Sequence, residues 1–136
     1  MTKPNPPLIG GKNLEDWDRG WVPVEGGPTV YHPHLRHKVG LYRMMLGREV
    51  MVIGTGTDKD GGLAKRLSDF RRPNASARSH HAGQHIHQHL DELRVEVLIT
   101  GADNEAREIA LQLKTPMIRR HRPTWTVPNA PFMRKE

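Results

Sequence analysis

Imidazole and guanidinium groups dominate the chemistry open to this sequence. Nine histidines are present. Three of them, His81, His85 and His89, recur at i, i+4 and i+8, which lines imidazoles along one face of a helix and could offer nitrogen ligands to zinc or nickel. His32, His34, His37, His80 and His87 enlarge the set. No acid or cysteine completes it, and surface histidines beside a phosphate backbone account for the same pattern, so the metal site is the less favoured reading. The cations are grouped more tightly. Between Gly62 and His80 stand Lys65, Arg66, Arg71, Arg72 and Arg78 against Asp69, a net of +4; between Lys114 and Arg122 stand Lys114, Arg119, Arg120 and Arg122 with no acid, another +4. Together these segments exceed the +6 of the whole chain. Lining one face, they would offer about six to eight phosphate contacts and salt-sensitive nucleic-acid binding. A solvated face explains Arg119 to Arg122 equally well.

Several elements must position these groups. Two apolar runs, Val39 to Met45 and Glu49 to Ile53, flank Leu46, Gly47 and Arg48, and the glycine suits a hairpin turn between strands. A helix should follow Gly61 and Gly62, with Leu63, Leu67 and Phe70 at i, i+4 and i+7 on its inner face. Pro73 detaches the polar loop Arg71 to Ser79. Residues 80 to 93 read as a second helix with Ile86, Leu90 and Leu93 inward, and Arg94 to Thr100 as a central, buried third strand. Asp103 or Asn104 caps a third helix with Ala106, Ile109, Ala110 and Leu113 as its apolar face. Thr115 and Pro116 look like a new cap and first turn, so this helix is expected to break or kink there. Residues 1–38, rich in proline and glycine, form an irregular arm, which Trp17, Trp21 and their apolar neighbours should anchor across the domain or a twin subunit. Residues 127–136 form a tail, and Trp125 just before it should dock.

The order strand, strand, helix, helix, strand, helix, carried by these residues, resembles the GIY-YIG nuclease domain over roughly residues 39–126. Gly40, Leu41 and Tyr42 stand where that family has Gly-Ile-Tyr, and Val52, Ile53 and Gly54 where it has Tyr-Ile-Gly. Leu63, Arg66, Leu67 and Phe70 are similar to its first helix, with Arg66 at the catalytic arginine. Met117 to Pro123 resembles the basic ending of the repair-type members. The resemblance implies an α+β (α/β) fold with a small three-stranded antiparallel or mixed sheet flanked by helices. It also implies metal-dependent endonuclease chemistry on DNA with Mg²⁺ or Mn²⁺. In that chemistry Tyr42 would help deprotonate water, Arg66 would stabilise the phosphorane, and His80 or His81 would supply an additional histidine.

Two departures bear on that chemistry. Val52 replaces the second tyrosine. The metal-holding glutamate position falls on Lys114 counting back from Pro123, or on Ala110 counting forward from Glu105, and neither is a carboxylate. An ammonium group repels a hard cation. Glu105 and Glu108 remain as weak substitutes, pointing away from the Lys114 margin of the helix. The favoured expectation is a nucleic-acid-binding domain with impaired hydrolysis, in which Lys114 neutralises a phosphate. The alternative is a protein-interaction module, or inhibitor, that reuses the nuclease fold and engages a partner or a second copy through the arm.

Composition bounds these readings. The chain is 35% hydrophobic and 5% aromatic over 136 residues, enough for one modest core. The absence of cysteine removes disulfides, thiolate nucleophiles and Cys-ligated zinc. No apolar run of signal-peptide or membrane-span length is evident, so the expectation is a soluble, cytoplasmic protein without membrane contact.

Overall fold

The hydrophobic alternation from Val39 onward builds the centre of a four-stranded sheet. The computed structural model describes residues 8–70 and 81–125, with backbone alone for 81–84. In chain order the elements are α1 (Leu14–Asp18), β1 (Val22–Val24), β2 (Val39–Leu46), β3 (Glu49–Gly56), α2 (Gly62–Asp69), α3 (His81–Gln88), β4 (Arg94–Gly101) and α4 (Asn104–His121). The strands lie in the order β1-β4-β2-β3 and every pairing is antiparallel. Gly47, at φ +59, makes the β2–β3 turn that its lack of a side chain allows.

The expected three-stranded sheet gains a fourth strand. Val22, Pro23 and Val24 pair with Val97, Glu96 and Val95, so part of the supposedly irregular arm belongs to the sheet. The run is short and interrupted by proline, which hid it from strand patterning. Proline is tolerated there because β1 is an edge strand. The arm also holds α1, capped by the Asn13 side chain on the Asp16 amide. Trp17 on that helix is buried, and its indole donates to the Ile9 carbonyl at 2.7 Å.

Side chains alternate across the sheet and divide the core in two. On one face Tyr42, Met44, Val95 and Val97 meet Leu63 and Leu67 of α2, Phe70 at its C-terminal end and Ile86 of α3. On the other, Leu41, Ile53 and Leu98 meet Trp17 of α1 and Ala106, Ala110, Leu113 and Met117 of α4. The sheet is therefore a middle layer between two helical layers.

The break expected at Thr115 and Pro116 does not occur; α4 runs through Pro116 to His121. Proline in a helix interior costs about 3 kcal/mol through one lost hydrogen bond and a steric clash. Here Met117 and Ile118, just beyond it, are buried against the sheet, and their packing continues the helix across the proline. After α4, the amides of Thr124 and Trp125 donate to the carbonyls of Val50 and Met51. Trp125 is docked against the core as expected.

Candidate functional site

Tyr42 occupies the middle of β2, opposite Gly54 on β3 and Val97 on β4. A Cβ at position 54 would fall on the phenol ring, so the glycine makes the space in which the ring lies. Phe70 closes that space edge-on, with its ring centroid 5.7 Å from that of Tyr42. Arg66 lies one helical turn before Phe70, its guanidinium 5.1 Å from the Phe70 ring. The charge of this guanidinium also acts on the Tyr42 hydroxyl, favouring the ionised phenol. The strand phenol and helix guanidinium thus share one site, roofed by Phe70.

The electrostatics of that pair determine what it can do. Burial pushes the Tyr42 pKa above its usual 10.0, although the charge and hydrogen bond of Arg66 act in the opposite direction. Tyr42 is 2% exposed. At neutral pH it is a protonated phenol, and it is no base for water. Asp69, a turn along from Arg66, adds a negative charge near the phenol. Asp69 and Phe70 were not singled out from the sequence as members of the site; their i+3 and i+4 spacing from Arg66 was the available signal. Val52, in place of the second tyrosine, is buried in an apolar setting.

The other candidates are distributed differently. Arg71, Arg72, Arg78 and His80 lie outside the described residues, as does the side chain of His81. Lys65 is exposed and paired with Asp58 at 2.8 Å. Glu105, Glu108 and Lys114 are exposed on α4, the helix that covers the opposite face of the sheet from Tyr42. The structure brings Tyr42 and Arg66 together and leaves these three in another layer.

Among the described residues no group of three His, Asp or Glu side chains stands close enough to hold an ion. Two of the histidines pack on a tryptophan instead. His85 stacks on Trp125 at 5.0 Å and His89 leans on the same indole at 5.1 Å, while His89 Nδ1 lies 2.9 Å from the His85 carbonyl.

The second cationic cluster stands at the end of α4. Lys114, Arg119, Arg120 and Arg122 are all exposed. Asp18 of α1 organises part of this end, meeting Arg120 Nε at 2.9 Å, His121 Nε2 at 2.7 Å and the Trp21 indole at 2.8 Å. Burial would raise the Asp18 carboxyl, yet hydrogen bonds from His121 and Trp21 and the charges of His121 and Arg120 outweigh it and hold the pKa below the usual 3.8. This hub joining the arm to α4 was not visible in the sequence, because its members are about a hundred residues apart.

Comparison with family models, characterised proteins and solved structures returns no match. Among the described residues no helix is long and apolar enough to cross a membrane.

Proposed function

We propose that this chain is a nucleic-acid-binding domain of GIY-YIG-like organisation, with phosphodiester hydrolysis impaired. The observation that carries the reading is the exposed cationic end of α4, where Lys114, Arg119, Arg120 and Arg122 stand on one helix with no acid among residues 114–122. Such an array neutralises backbone phosphates and releases their counterions. Asp18 takes up part of the charge of Arg120. The shared site of Tyr42 and Arg66 supports the family likeness. The protonated phenol argues against metal-assisted attack by water.

Titration of a labelled DNA duplex and a labelled single strand at rising salt tests the proposal. Binding should weaken with a log-log slope of about −3, and each exposed α4 arginine changed to alanine should reduce the slope by about 1. A plasmid-nicking assay with Mg²⁺ or Mn²⁺ tests hydrolysis alongside. Absence of binding at low salt would remove the nucleic-acid reading. Nicking that is abolished by Arg66→Ala would restore the enzyme.

A further inference from the structure

The chain carries a net +6, yet one groove on it has the opposite character. It lies between the turn after β1 and the turn joining α3 to β4, measures about 590 Å³ and opens to solvent. Its floor is apolar, made by Val24, Leu93 and Val95, which also belong to the core around Tyr42. Its rim carries Glu25 and Asp91, both exposed and, among the described residues, engaged in no hydrogen bond or ion pair. Glu96 is paired with Arg43 at 2.6 Å, while Arg94, whose guanidinium donates to the Gly47 carbonyl, keeps its positive charge at the edge of the groove. Glu25 and Asp91 outweigh Arg94, so the lining is net negative, which disfavours phosphate and favours a cation.

We infer that this groove receives an extended basic segment of a partner protein. The volume is in the range of a specific ligand site. Two observations favour an extended peptide over a compact ligand. β1 is an edge strand, so among the described residues its outer side has no strand partner in the sheet. Apolar surface continues along the same arm, where Val22, Val30 and Tyr31 are 48%, 45% and 49% exposed. A segment alternating aliphatic and Lys or Arg side chains satisfies both features: the aliphatic groups rest on Val24, Leu93 and Val95, and the cations meet Glu25 and Asp91. This docking surface is independent of the nucleic-acid reading, since it lies away from α4 and has the wrong charge for phosphate.

The test uses two synthetic peptides on the isotope-labelled full chain, Ac-Val-Lys-Val-Arg-Val-Lys-NH2 and its counterpart with glutamate at each charged position. The basic peptide should shift the backbone amide resonances of residues 22–29 and 90–96 saturably, with a dissociation constant of about 1 mM or tighter. The double variant Glu25→Gln/Asp91→Asn, altered only at exposed positions, should bind roughly tenfold more weakly. The acidic peptide should leave these resonances in place, and so should a DNA duplex. The inference is overturned by no saturable shift with the basic peptide, by shifts confined to α4, by equal response to the acidic peptide or the duplex, or by unchanged affinity in the double variant.

Discussion

The Arg66 guanidinium lies 5.1 Å from the Phe70 ring, the ring that closes over the Tyr42 phenol, and its charge acts on the Tyr42 hydroxyl. The phenol is enclosed by Gly54 and Phe70, while the guanidinium is only partly covered. That asymmetry decides how the pair responds to mutation. Tyr42→Phe removes an enclosed hydroxyl and leaves Arg66 able to turn to water, for about 1 kcal/mol of stability. Arg66→Ala removes the cation from the Phe70 face and from beside that hydroxyl, for roughly 1–3 kcal/mol. Because the two act on one contact, the double variant should lose at least 0.5 kcal/mol less than the sum. Denaturant unfolding of the four proteins measures the coupling, and strict additivity would contradict the contact.

The raised pKa of Tyr42 has its own signature at alkaline pH. A group whose folded pKa lies above its unfolded value favours folding fully below the unfolded value, and that contribution is lost as pH rises beyond it. For Tyr42 the loss therefore begins near pH 10.0 and continues upward. In a Tyr31→Phe background Tyr42 is the one tyrosine left. Its phenolate absorbance should then appear above pH 10.0 together with the loss of near-ultraviolet circular dichroism. Titration at or below the usual value in a folded chain would show an accessible hydroxyl.

The sequence was most legible where a local period met a single environment. Leu63, Leu67 and Phe70 mark one helix face by spacing alone, and all three are buried. The run from Arg94 to Thr100 shows a buried strand for the same reason, flanked as it is by β1 and β2. What escaped was decided by distant partners. Val22, Pro23 and Val24 form a strand only because Val95, Glu96 and Val97 present a free edge. Pro116 stays helical because Met117 and Ile118 reach the sheet. Tyr42 and Arg66 could be paired from sequence only through a family likeness; the burial that sets the protonation of Tyr42 comes from Gly54 and Phe70 closing around it.

Asp18 should govern the acid limb of stability. Its carboxyl is held below 3.8 in the folded protein, so its contribution is complete above that value and disappears as the pH falls through the folded pKa. Asp18→Asn removes the charge facing Arg120 and His121 while keeping an oxygen for the Trp21 indole. The variant should lose roughly 1–3 kcal/mol at neutral pH and show a shallower fall in stability below about pH 4. Thermal unfolding across the acid range gives both quantities. Parallel curves for the two proteins would mean that Asp18 is solvated rather than bound at the end of α4.

Lys114 separates the binding and cutting readings most directly. A glutamate at this position would supply the carboxylate that the family likeness lacks, so a simple reading of the sequence has Lys114→Glu gaining activity. The fold argues otherwise. Position 114 is exposed on α4, in the layer behind the sheet, whereas Tyr42 and Arg66 sit in the layer in front. A carboxylate there adds a negative charge to the cationic end of the helix without joining the Tyr42 site. Lys114→Glu should therefore produce no nicking with Mg²⁺ or Mn²⁺ and should weaken duplex binding roughly tenfold at low salt. Cleavage by the variant at wild-type affinity would require α4 to reach the Tyr42 site and would overturn the separation of the two layers.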